Sequence, residues 1–122
     1  VASVRRILRR RELAVLVGGG LGTGARFGIT AIIPGLWATL SVNVVGAYAL
    51  GYIAARLRLA GRSRAITVPL LGVGFLGAFT TFSSFAVQLL TRHVAVSLAY
   101  GLATVLGGLA FGTAGLLRGR RR

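Results

Sequence analysis

Residues 72–88 read GVGFLGAFTTFSSFAVQ, and the reading of this stretch decides the fold. It lies inside an apolar run from Ala65 to Leu90 and carries the hydroxyls of Thr80, Thr81, Ser83 and Ser84 among the rings of Phe75, Phe79, Phe82 and Phe85. At about 1.5 Å per residue, the 26 residues of that run are long enough to cross a bilayer core of about 30 Å. Gly72, Gly74, Gly77 and the hydroxyl cluster then fall near the midplane. Such a cluster is too polar for lipid, and backbone at that depth leaves the helical pattern only where protein or a water-filled cavity satisfies the freed groups. The stretch is therefore expected to line or close a pathway.

Composition carries the membrane reading to the whole chain. Of 122 residues 55% are hydrophobic, the mean hydropathy is +0.81, and the charged fraction is 13%, about half the usual share of soluble domains. Apolar runs at 13–33, 36–55, 65–90 and 94–117 make one all-α integral membrane domain of four spans over residues 1–122. The net charge of +14 comes from 15 Arg set against Glu12 alone. That value would also fit nucleic-acid binding, but 13 of the Arg fall in three clusters at the ends of the apolar runs. There they meet anionic headgroups, and no soluble basic module remains to dock a duplex, so nucleic acid is not an expected partner. Without Cys or Met, and with His93 alone, the chain offers no disulfide framework, thiol nucleophile, haem ligation or zinc cluster.

Charge position also sets orientation. Arg5, Arg6, Arg9, Arg10 and Arg11 precede the first run and resemble the charged region of a signal peptide, even a twin-Arg one. Three further apolar runs make a retained helix flank the better reading. Four spans put the N-terminal cluster, the loop with Arg56, Arg58, Arg62 and Arg64, and the tail with Arg118, Arg120, Arg121 and Arg122 on one side. Only Arg26 and Arg92 belong to the other, so the positive-inside rule places both termini in the cytoplasm.

Candidate polar sites are few. The first run is rich in Gly, which permits close helix contact, and a dinucleotide-loop reading fails because no strand precedes it and no ribose-binding acid follows. In the second run Trp37 is an interfacial anchor, and Asn43 shares a face with Ala47 and Gly51. A lone amide in a membrane helix serves as pore lining or as interhelical glue, and position alone leaves both open. In the fourth run Tyr100 and Thr104 share a face, either as a polar track or as hydroxyls bonded to backbone carbonyls or a neighbouring helix. Four spans are too few to enclose a wide aqueous pore, and 19 Gly favour tight helix contact, so an oligomer is expected.

Catalysis would need an acid–base pair, a nucleophile or a cofactor ligand, and the runs hold no Asp, Glu, Lys, Cys or His. An enzyme is not expected, nor is a proton-coupled exporter, since Glu12 sits at the head of the first run. What remains is a set of neutral donors and aromatic edges, which suits a small anion. Phe82 and Phe85, three apart on one helical face, are able to present electropositive ring edges without a fixed cation. The ordinary reading of rings at this spacing is a packing stripe.

GFLGAFTTFSSF at residues 74–85, with Asn43 in LSVNVVGAYALG and Arg26 in the Gly-rich first run, resembles the bacterial fluoride-channel family, Fluc or CrcB. The likeness covers essentially the whole chain, and the third-run pattern is its most specific part. The resemblance implies a break in the third helix and an antiparallel, dual-topology dimer with two narrow fluoride pores. It also implies a central structural sodium ion held by the backbone carbonyls of Gly77 and Thr80. It assigns the pore rings to Phe82 and Phe85, a pore donor to Asn43, and candidate polar-track roles to Ser83, Ser84, Tyr100 and Thr104, with Arg26 as a supporting match. The family pattern commonly has Glu three residues after the second pore Phe, where this chain has Gln88. Two oppositely inserted copies need nearly balanced flanks, and 13 Arg against 2 is unbalanced. The expected second subunit is therefore a homologue of opposite charge bias rather than a second copy.

Overall fold

The computed structural model describes residues 1–57 and 64–121. Arg58, Arg62 and Arg122 of the basic clusters lie outside the described residues. The described chain is all-helical, and four of its helices are long and apolar enough to span a membrane. These are α1 (Ala2–Ile32), α2 (Gly35–Leu57), a third span over Ala65–Thr91, and a last helix, Val94–Arg120. The third span is built from several pieces. Arg64–Thr67, Val68–Leu76 and Gly77–Phe79 abut as α3, Phe82–Thr91 is α4, and the last helix is α5.

Helix α1 begins at Ala2, well before the apolar run at Leu13. No Gly or Pro separates the two, and Arg, Leu, Ala and Glu propagate a helix, so nothing stops it at the membrane boundary. Its 31 residues span about 46 Å, and the Arg-bearing first turns are exposed throughout. Pro34 ends it: Ile33 is extended, as the residue before proline must be, and Gly35 turns the chain at φ 56.

Two helix pairs form the body, α1 with α3 and α2 with α5, and both depend on glycine at the contact. Gly18 and Gly22 lie one turn apart on α1, against the Leu70 carbonyl and the Phe75 backbone. A Cβ at Gly74 would in turn stand 2.7 Å from the Val15 carbonyl. Across the other pair, Gly51 lies under the Gly112 carbonyl, and Gly115 and Gly119 under those of Tyr48 and Tyr52. Without a hydrophobic force between helices in lipid, such backbone contact is what holds them. Within α3, Val68–Leu76 is a π-helix with Pro69 at its start. Pro69 has no N–H for the ordinary helical ladder, and the wider turn lets Gly77 N–H reach back to the Gly72 carbonyl.

Candidate functional site

Helical geometry stops after Phe79 and resumes at Phe82. Between them Thr80 (φ −78, ψ 156) and Thr81 (φ −145, ψ 118) are extended. Such a step frees main-chain groups that lipid cannot satisfy. Thr80 N–H and Oγ1 both donate to the Leu76 carbonyl, at 3.0 and 2.9 Å. Thr81 N–H donates to Asn43 Oδ1 at 2.9 Å, and Asn43 Nδ2 donates to the Thr81 carbonyl at 3.1 Å. One side-chain amide thus satisfies both peptide groups of Thr81, as a neighbouring peptide would. Thr81 Oγ1 caps α4 by accepting from Ser84 N–H at 3.2 Å, and it also donates to Ser84 Oγ at 3.2 Å.

Approach of α2 makes this possible. Gly46 follows Asn43 by one turn, and the Thr80 methyl fills the space its Cβ would need. The interruption therefore sits directly against α2, with Asn43 in reach of Thr81.

A groove of about 510 Å³ runs along it, lined among others by Asn43, Gly77, Thr80, Thr81, Phe82, Phe85 and Thr104. Its lining is mostly apolar, and Thr104 contributes a buried hydroxyl close to that of Tyr100. Phe82 is 78% exposed at mid-span, so its ring awaits lipid or another subunit. The Phe82 and Phe85 rings are 6.0 Å apart and tilted by 53°. Phe85 in turn meets Tyr100 at 5.3 Å. The Tyr100 hydroxyl donates to Gln88 Oε1 at 2.8 Å, which fixes α4 against α5.

A second, more polar hollow of about 460 Å³ is lined by Thr23, Arg26, Thr30, Thr39, Ser83 and Ser84, with Thr81 as a wall shared with the groove. The residues singled out in the sequence therefore fall into three places. Asn43, Gly77, Thr80, Phe82, Phe85 and Thr104 share the groove. Arg26, Ser83 and Ser84 share the hollow, and the two serines also border a shallow depression with Gln88. Tyr100 stands behind Phe85, outside both. Sequence reasoning missed the part played by Thr81, which appears there only as one hydroxyl of the cluster. Its signal is the spacing to Ser84, a Thr three residues before the N–H it caps. It also missed Thr39, buried on α2 and facing the hollow.

A family model described as CrcB-like protein, Camphor Resistance (CrcB), matches residues 13–116. The fluoride-specific ion channel FluC 1 of Rhodococcus jostii (strain RHA1) is 41% identical over 93% of this chain and 89% of its own length. The fluoride-specific ion channel FluC of Paracoccus denitrificans (strain Pd 1222) is 42% identical over 93% of this chain and 97% of its own. A third, FluC 1 of Mycolicibacterium paratuberculosis (strain ATCC BAA-968 / K-10), is 39% identical over 81% of this chain. With a whole-domain match and such relatives, the chain, a multi-pass membrane protein by its four spans, belongs to the CrcB family.

Proposed function

We propose that the chain is a subunit of a fluoride-selective ion channel, not an enzyme, that lets fluoride leave the cytoplasm passively and so lowers intracellular fluoride and its toxicity. The observation that carries the reading is the Phe82–Phe85 ring pair beside Asn43 on an open groove, in a chain whose relatives bear the name of fluoride channels. Ring edges and an amide N–H attract an anion without a fixed charge that would hold it. Ser83, Ser84 and Thr104 extend the neutral donors, Tyr100 braces Gln88 with its hydroxyl, and Arg26 raises the anion concentration in its hollow. Export needs no pump: 100 mV, negative inside, is worth roughly 2.3 kcal/mol per charge, which holds internal fluoride about fifty-fold below external.

The groove is open on the side where Phe82 is exposed, and the pore in this reading closes only against a second subunit inserted the other way. A structural sodium ion belongs to the same reading. The carbonyls of Gly77 and Thr80 fit it, because the N–H groups that would bond them in a continuous helix are engaged elsewhere. Two carbonyls from each subunit would supply hard oxygen ligands, and the ion would contribute fixed positive charge between two anion paths. The charge bias favours a homologous partner of opposite bias, with both termini of this chain in the cytoplasm. That bias also supports a second reading, a non-conducting partner subunit in a heterodimeric fluoride channel.

The test is fluoride against chloride efflux from liposomes holding the purified chain alone, then with Phe82→Ile. Fluoride-selective efflux that the substitution abolishes supports a self-sufficient channel and removes the heterodimer. Efflux only after co-reconstitution with an oppositely biased homologue supports the heterodimer. Equal chloride and fluoride efflux from the functional assembly sinks the fluoride reading.

A further inference from the structure

The interruption in the third span is a matter of where two N–H groups go. In a continuous α-helix Thr81 N–H would bond the Gly77 carbonyl and Ser84 N–H the Thr80 carbonyl, each four residues back. Thr81 N–H instead reaches Asn43 Oδ1, and Ser84 N–H reaches Thr81 Oγ1. Two side chains thus remove the helical donors of two carbonyls. Those carbonyls are the pair that the proposed sodium site needs.

We infer that Asn43 and Thr81 are the positioning residues of that site: by diverting the N–H groups of Thr81 and Ser84, their side chains release the Gly77 and Thr80 carbonyls to face a hard cation. The inference rests on the sodium reading above and adds to it the residues that create the site. Asn43 acts from α2, 38 residues away in sequence, and its second bond, Nδ2 to the Thr81 carbonyl, fixes which amide atom meets which peptide group. Its Oδ1 is committed to Thr81, so of its polar atoms only the remaining Nδ2 hydrogen is left for the groove. Thr81 acts locally, as the N-cap of α4, and nine-tenths of it is buried, which keeps water from replacing its hydroxyl. Asp at 43 would keep an acceptor for Thr81 N–H but set a second oxygen against the Thr81 carbonyl. Val at 81 would keep the β-branched shape and lose the cap, whereas Ser would keep the cap.

The experiment uses the whole chain in detergent, in whichever assembly conducts in the liposome test, alone or with its oppositely biased homologue, and reads two quantities besides conduction. These are thermal melting in sodium against N-methyl-glucamine, and hydrogen–deuterium exchange of the peptide holding the Thr81 and Ser84 amides. The wild type should melt several degrees higher in sodium. Asn43→Ala and Thr81→Val should lose at least half of that increment and exchange these amides about tenfold faster, while Thr81→Ser retains both. Thr113→Val, which removes an exposed hydroxyl bond to Leu109 on α5, should retain both as well. Should Asn43→Ala not fold, the Thr81→Val and Thr81→Ser pair decides alone. A wild type indifferent to sodium overturns the sodium reading and the inference with it. A sodium-responsive wild type whose Thr81→Val variant keeps the full increment and protection overturns the inference alone.

Discussion

Tyr100 holds Gln88: its hydroxyl donates to Gln88 Oε1 at 2.8 Å, across the contact of α4 with α5. The bond turns the carbonyl end of the Gln88 amide toward Tyr100 and leaves the NH₂ end for the depression that Gln88 shares with Ser83 and Ser84. That depression is therefore lined by neutral donors, where the family pattern commonly puts a carboxylate.

Fluoride current through the conducting assembly should accordingly owe no pH dependence to this depression between about pH 5.5 and 8, since Gln, Ser and Tyr do not change charge in that window. Gln88→Glu keeps an acceptor for Tyr100 and adds a titrating charge. Recorded from about pH 4, near the ordinary Glu value of about 4.3, up to pH 8, current in the variant should be largest at the acid end and fall several-fold as the carboxyl ionises, because the carboxylate repels the anion. Planar-bilayer recording reads ionic current alone, free of neutral HF leak; a flat profile for Gln88→Glu would remove Gln88 from the ion path.

Removing the donor is a separate matter. Tyr100→Phe keeps the ring contact with Phe85, 5.3 Å between centroids, and loses the hydroxyl, with its bond to Gln88 and its approach to Thr39 and Thr104. The stability cost should be about 0.6 kcal/mol, the average for hydrogen bonds between membrane helices. A loss of fluoride selectivity in this variant, beyond that small cost, would show that Tyr100 faces the ion rather than bracing α4.

Glycines on α1 should divide sharply by position. A Cβ at Gly22 would run into the Phe75 carbonyl, while Gly20 and Gly24 have nothing within 4 Å. Gly22→Ala should therefore cost on the order of 1–3 kcal/mol through forced separation of α1 from α3. Gly20→Ala should be neutral or slightly stabilising, since Ala is the better helix former. Melting in detergent checks the pair, and equal effects would mean that α1 does not seat on α3 as described.

The membrane class, the four spans and their order are legible in the sequence because each span is a long apolar run bounded by Arg or Pro. Phe82, Phe85 and Asn43 are legible as candidates because a polar or paired aromatic residue stands out against such a background. The pairing of Asn43 with Thr81 is not, for it joins residues 38 apart and depends on α2 passing close at Gly46, which periodicity does not encode. Nor is the π-helix of Val68–Leu76, since Pro69 and the glycines around it are equally compatible with a kink. The split between groove and hollow was hidden for a different reason. Arg26 and Phe82 lie on different walls around Thr81, and only packing shows which hydroxyls each one shares.

Orientation gives the last prediction. Thirteen Arg flank one side and Arg26 and Arg92 the other; α1 carries its five on an exposed helical extension, and α5 ends in Arg118 and Arg120. Each such residue biases insertion by the positive-inside rule, so the native chain should insert one way, and a reporter at its C-terminus should read cytoplasmic in nearly every copy. Replacing Arg5, Arg6, Arg9, Arg10, Arg118, Arg120, Arg121 and Arg122 with Gln leaves Arg11 and the central loop. It brings the bias near the balance that two opposed copies require. That variant should give mixed C-terminal topology and, if opposed subunits form the pore, fluoride efflux from a single gene product where the native chain gives none. Mixed topology already in the native chain would remove the need for a second homologue, because the charge count would then not be what sets insertion.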